Sequence, residues 1–255
     1  MTDILLSHLS LAAQTPGLSW LIGAAFMAGL TRGFAGFGSG LVFMPFAGAI
    51  LPPAQAVGVV VLMDLIGSLA NIPGAVRLAR WQDLKWLGLA LIPGVLAGLW
   101  LLFWVEPLVF RWGVSLLALS TVAALICGWQ WRGSRGIPET LGVGFLAGIF
   151  GGATALPGPP VILFYLSSQL PVQVMRATMT IFMVSVDLLL GISLGVTGQL
   201  GAGLVALSAI LLVPFALGNA IGSFLFRPER VKVYKVGSWL VIGASALYGL
   251  PLWQG

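Results

Sequence analysis

Apolar residues fill this chain in ten blocks, at about 18–35, 38–50, 54–73, 84–105, 109–131, 138–152, 157–168, 172–197, 202–226 and 234–251. Gly, Pro and a few charges separate them. A helix crossing a bilayer needs ~20 mostly apolar residues. The blocks are continuous and rich in Leu, Ala and Gly, so they read as helices. The ~10-residue alternation of a membrane β-barrel is not there. Only 7% of the 255 residues are charged and 59% are hydrophobic, against about 25% charged in a soluble chain. So few charges exclude a cytosolic enzyme, and the high hydrophobicity excludes intrinsic disorder.

Other counts narrow the chemistry. The 35 glycines suit membrane helices that cross closely or break within the bilayer. The single cysteine, Cys127, excludes an intrachain disulfide and a cysteine metal cluster. The single histidine, His8, reads as incidental, and no metal or cofactor is expected. The first basic residue is Arg32, so no basic leader is present and no cleavage is expected. A net charge of +5 is too scattered for nucleic acid. No G-x-x-x-x-G-K-[ST] occurs, which removes ATP drive within the chain. No Ser/His/Asp or metal constellation supports an enzyme, and no catalytic residue is assigned.

The blocks form two sets of five. A shift of 119 pairs Gly29 with Gly148, Gly33 with Gly152, Val42 with Val161, Leu51 with Leu170 and Pro52 with Pro171. A shift of 121 pairs Pro93 with Pro214 and Pro107 with Pro228. The expected organisation is a first repeat over 1–130, a cytoplasmic linker over 131–138 and a second repeat over 139–255. Five segments reverse the orientation of the second copy, the inverted plan of many secondary transporters. If each block flips the chain across the membrane, Arg32, Arg77, Arg80, Lys85, Arg132, Arg135, Arg176, Arg227, Arg230, Lys232 and Lys235 share one side and Arg111 alone faces the other. The positive-inside rule makes the crowded side cytoplasmic. Both termini then lie outside an inner-membrane protein.

Two blocks, 38–50 and 157–168, are too short to span. A 13-residue helix covers roughly 20 Å. Each follows a broken stretch, Gly33–Gly40 in the first half and Gly151–Pro160 in the second. The expected form is a pair of broken or re-entrant hairpins, giving about eight full spans plus two half-helices. Irregular backbone at depth is tolerated only where protein or water lines it. The start of a short helix offers free N–H groups to an anion. Gly38, Ser39 and Gly40 provide these in the first half. In the second, Pro157, Pro159 and Pro160 lack N–H groups, leaving Gly158 and the Thr154 hydroxyl. The glycines and prolines fit equally a purely structural role in crossings and turns.

The run Gly33-Phe34-Ala35-Gly36-Phe37-Gly38-Ser39-Gly40 followed by Pro45, and Gly148-Ile149-Phe150-Gly151-Gly152 followed by Gly158-Pro159-Pro160, resemble the duplicated signature of the sulfite exporter TauE/SafE family, also called the 4-toluene sulfonate uptake permeases. The short basic loop Arg77–Lys85 with Gly94 and Gly98 is similar as well. The resemblance covers nearly the whole chain. It implies a membrane carrier for sulfite, sulfonates or other small organic anions. The chain departs from the pattern by carrying Pro157 and Pro159 where Gly is more usual.

Charges within the blocks are the remaining candidates. Asp3, Asp83, Glu106, Glu139 and Glu229 fall in loops or termini. Asp64 and Asp187 lie inside the third helix of each half, where a carboxylate costs ~2.5–3.5 kcal/mol and needs a partner or a role. Asp64 shares a face with Ser68 and Asn71, and Asp187 with Thr180, Met183 and Gly191. Either acid fits a proton-coupling role or a helix-packing one. Arg32 fits two roles: gripping a sulfonate or carboxylate with two donors, or snorkelling to the headgroups. Arg176 and Asn219 are further substrate-binding candidates. Trp81, Trp86, Trp104, Trp112, Trp129, Trp131 and Trp253 sit near block ends as interface anchors. The expected protein is an all-α polytopic secondary carrier, favoured as an exporter, with a small anion and the lipid bilayer as partners. A homodimer is the oligomer it allows. An anion channel using the hairpins as a filter is the alternative.

Overall fold

In the computed structural model, residues 2–129, 131, 133–166, 168, 170–225 and 231–252 are described. Arg132, Arg227, Pro228, Glu229, Arg230 and Trp253 lie outside the described residues. The chain is all-α. Its helices are α1 (Thr2–Ala13), α2 (Leu18–Ala35), α3 (Ser39–Ile50), α4 (Pro53–Ser68), α5 (Ile72–Leu78), α6 (Trp81–Trp104), α7 (Pro107–Ile126), α8 (Ile137–Thr154), α9 (Gly158–Leu166), α10 (Val172–Val196), α11 (Ala202–Leu225) and α12 (Val231–Gly249). A 3-10 turn, Leu69–Asn71, joins α4 to α5.

Among the described residues, α6, α7, α10 and α11 are each long and apolar enough to cross a bilayer, and the bent pair α4–α5 is either a fifth, broken span or a re-entrant loop. That is fewer than the eight full crossings expected from the blocks. The block 54–73 is two helices at 77° to one another. Pro73 stands at the start of α5, where a ring without an N–H is accommodated but a continuous helix is not. The basic stretch Arg77–Lys85 is largely helical, divided between α5 and α6. The N-terminal α1, absent from the ten blocks, packs against α11. The short helices α3 and α9 have 12 and 9 residues, which rise only ~18 and ~14 Å.

Two glycine-lined crossings hold the bundle. α2 lies along α11, and α6 lies along α8. A β-carbon at Gly33 would come within 2.5 Å of the Asn219 carbonyl oxygen, and one at Gly222 within 2.5 Å of the Leu30 oxygen. In the second crossing, a β-carbon at Gly152 would meet the Val95 oxygen at 2.5 Å, and one at Gly98 the Ala153 nitrogen at 2.8 Å. Backbones this close exclude any side chain, the packing that small residues permit between membrane helices. Phe43, Met63, Phe164, Phe182 and Phe215 are buried between the helices. The outward faces stay apolar: Trp104 is 76% and Phe224 88% exposed, an arrangement suited to lipid rather than water.

The first hairpin turns at Gly36 and Gly38, with φ of 80° and 93°, a region that L side chains rarely adopt. The second turns at Ala155, φ 54°, just before Pro157. The two tips meet: a β-carbon on Gly40 would lie 2.9 Å from the Ala155 carbonyl oxygen. α3 contains Pro45 and is braced by α12, whose Ser245 hydroxyl donates to the Val42 carbonyl at 2.6 Å.

Candidate functional site: a buried arginine between two broken hairpins

Arg32 sits in the last turn of α2, directly before the first break. It is 4% exposed, its guanidinium held by protein partners. Its Nη1 donates to Asp64 Oδ2 at 2.8 Å and to Ser39 Oγ at 3.0 Å, and its Nη2 donates to Ser68 Oγ at 2.5 Å. Both hydroxyls pass the interaction on. Ser39 Oγ donates to Asp64 Oδ2 at 2.5 Å, and Ser68 Oγ donates to the Asp64 carbonyl at 2.5 Å. Three elements converge here: the end of α2, the start of α3 and the last two turns of α4. The α2–α3 break brings Ser39 beside the arginine seven residues earlier. The helical spacing of four brings Ser68 above Asp64.

A buried ion pair is retained only with good geometry and satisfied partners. This one is incompletely satisfied. Asp64 engages the guanidinium through a single oxygen, and its Oδ1 is buried with no hydrogen-bond partner among the described residues. Asp187 Oδ2, on α10, is buried without one too. Both acids line the same chamber, together with Arg32, Gly38, Ser39, Gly40, Gly158 and Met183. The chamber has a volume of about 30 Å³. A cavity of this size holds about one or two waters, less than a sulfonate group requires.

Arg32 also faces a second, larger cavity of about 240 Å³, lined among others by Gly36, Asn71, Gln173, Arg176, Thr180 and Ser223. Arg176 lies over the first hairpin. Its Nη2 donates to the Gly33 carbonyl at 3.3 Å, and its Nε faces Gly36. Arg32 thus lines both cavities, the wider vestibule beside Arg176 and the small chamber beside Asp64 and Asp187. Arranged this way, it can present donors to an oxyanion arriving from the vestibule.

The sequence-expected residues divide accordingly. Arg32, Gly38, Ser39, Gly40, Asp64, Gly158 and Asp187 come together around the chamber, and Arg176 around the vestibule. Two do not join them. Thr154 Oγ1 donates to the Phe150 carbonyl one turn back, and the residue lines a separate apolar cavity with Trp104 and Phe110. Asn219 Nδ2 donates to the Gly67 carbonyl at 3.1 Å, tying α11 to α4. The Arg32–Asp64 pairing and the role of Ser68 were not foreseen. The available signal was that Asp64 needed a cation and that Arg32 stands directly before the first break.

The family model for the sulfite exporter TauE/SafE matches residues 21–249. The chain belongs to the sulfite exporter TauE/SafE family. No curated protein and no solved structure gives a significant match. The TauE/SafE family consists of membrane transporters rather than enzymes, and membership makes this chain a multi-pass membrane transporter. Within this TauE/SafE chain the matched region begins in α2 and ends with α12, so it contains both hairpins and every residue of the chamber.

Proposed function

We propose that this protein is a secondary carrier that exports a small oxyanion, such as sulfite, a sulfonate or an organic acid, by alternating access. The observation that carries the reading is Arg32. It is a buried guanidinium with hydroxyl and carboxylate partners, lining both a vestibule and a small chamber where two hairpin tips touch. Arg32 is the main anion ligand, with Ser39 and the Gly38–Gly40 backbone completing the site and Arg176 guiding the approach. Asp64 and Asp187 are the groups that would carry a coupling proton.

The two halves work as inverted repeats meeting at the hairpins. The repeated crossings support this. α2 against α11 uses Gly29 and Gly33, and α8 against α6 uses Gly148 and Gly152, the same pairs that a shift of 119 aligns in the sequence. The vestibule opens on the side of Arg176, which the positive-inside rule makes cytoplasmic, with both termini on the opposite side. Rocking one half against the other would open the chamber to that side. A channel would need a continuous filter; a chamber of about 30 Å³ behind a paired arginine favours an occluded carrier.

Counterflow in proteoliposomes tests this. Vesicles preloaded with unlabelled sulfite should accumulate labelled sulfite transiently above equilibrium. Equilibration without an overshoot would mark a pore.

A further inference from the structure

We propose that Asp64 occupies the place of the transported anion on Arg32, and that an anion displaces it only together with one proton. The inference rests on the reading of Arg32 as the anion ligand and adds how that ligand is switched.

The geometry shows a ligand site already filled from within. Arg32 Nη1 donates to Asp64 Oδ2 and to Ser39, whose hydroxyl donates to the same carboxylate oxygen, while Nη2 donates to Ser68, whose hydroxyl is bonded to the Asp64 backbone carbonyl. A carboxylate is the side-chain group closest in charge and shape to a small oxyanion, and the guanidinium binds both by the same donors. The pairing is one-sided, since Asp64 Oδ1 has no partner among the described residues. A purely structural Arg–Asp pair gains most from two parallel bonds; a replaceable partner does not need them.

The charges around the pair set the stoichiometry. Arg32 from α2 and Asp187 from α10 are the charged side chains that share the chamber with Asp64. The chamber's α3 and α9 residues are uncharged, and α11 contributes the neutral Asn219 against α4. Arg176 stands in the vestibule, and on α6 Asp83 is engaged elsewhere with Arg80 and Tyr165. With Asp64 ionised, a monoanion on Arg32 would add a negative charge next to a carboxylate that has just lost its counter-ion. In a buried site that cost is prohibitive. A proton taken from vestibule water onto Asp64 cancels it. The proton is assigned to Asp64 because it is Asp64 that contacts Arg32; Asp187 shares the chamber without a described bond to the guanidinium, and the Asp187→Asn variant tests that assignment. Loading therefore adds one anion and one proton, and release returns both: electroneutral cotransport, one to one, in which export is driven by the anion's own outward gradient and not by the proton gradient.

The probe is methanesulfonate, which stays a monoanion throughout the working pH range, so any proton exchanged belongs to the protein. Calorimetric titration of the purified full chain, repeated in buffers of different ionisation enthalpy, counts protons per anion. The expected result is one proton taken up per methanesulfonate at alkaline pH, with Kd weakening about tenfold per pH unit there. Asp64→Asn should bind without proton uptake and without the pH slope. Binding with no proton uptake in the wild type would overturn the inference, whether or not the variant folds. So would uptake that survives Asp64→Asn and disappears in Asp187→Asn, which would move the coupling to α10. Absence of binding of methanesulfonate, sulfite and acetate at every pH would instead overturn the anion-site reading, and the inference with it.

Discussion

Arg32 Nη1 lies 2.8 Å from Asp64 Oδ2, with both side chains buried; the Ser39 hydroxyl bridges the pair and the Ser68 hydroxyl ties the guanidinium to the Asp64 backbone carbonyl. The contact joins α2 to α4 across the first hairpin. It is a buried ion pair within the bundle, and both of its residues line the chamber. Its removal should therefore affect folding and transport separately.

Arg32→Met leaves Asp64 buried without its cation. Loss of one partner of a buried pair costs about 3–5 kcal/mol. A chemical-denaturation series in detergent should show this loss, and the double variant Arg32→Met, Asp64→Leu should recover most of it. Both should bind no anion. A double variant as unstable as the single one would show that the pair is not the source of the cost.

The glycine crossings should be intolerant of any side chain. Gly33→Leu and Gly152→Leu each force a side chain into a neighbouring backbone. Overpacking of a filled interface costs typically about 1–3 kcal/mol, and here the obstacle is main chain, which yields less than a side chain. Gly113, with open space around it, is the control: Gly113→Leu should leave the melting temperature close to wild type. Equal losses at all three sites would contradict the packing described.

Gly38 carries φ 93° at the N-terminus of α3. Gly38→Ala should cost ~1–2 kcal/mol from the left-handed backbone and should tilt Ser39 away from Arg32. Weaker sulfite binding with only a modest fall in melting temperature is the expected pattern. Unchanged binding would show that Ser39 does not depend on this turn.

A second polar tie fixes the far end of α9. The Tyr165 hydroxyl donates to Asp83 Oδ2 at 2.8 Å, and Arg80 Nε lies 3.2 Å from the other oxygen of Asp83. Tyr165→Phe should lose about 1 kcal/mol, the usual net value of one hydrogen bond, readable as a small shift in the denaturation midpoint. No shift would place the tyrosine's contribution entirely in its ring, which packs on Phe164.

Much of this architecture was legible in the sequence. Nine of the ten apolar blocks reappear as single helices with edges moved by a few residues, because Gly and Pro punctuation marks helix ends chemically. The two breaks were legible for the same reason: Gly36 and Gly38 occupy the left-handed backbone region, and Pro157 cannot continue α8. The bend between α4 and α5 was less visible, since Pro73 reads as the end of a block when it in fact starts a new helix. The chamber was legible in part. Arg32, Ser39, Asp64 and Asp187 each stood out by chemistry, but their pairing depends on how α2, α4 and α10 rotate against one another. Periodicity along one helix does not encode that rotation. Thr154 shows the limit: its position beside the second break is right, and its side chain turns back to its own helix.

The central claim is that Arg32 binds the transported anion. Equilibrium binding of labelled sulfite to the purified wild type and to Arg32→Lys tests it most directly, because lysine keeps the charge and removes the planar fork. At fixed pH, with both proteins shown to be folded, the account predicts saturable binding to the wild type and at least about tenfold weaker binding to the variant, the loss of roughly one charge-assisted hydrogen bond. Equal affinity in the two proteins would contradict it.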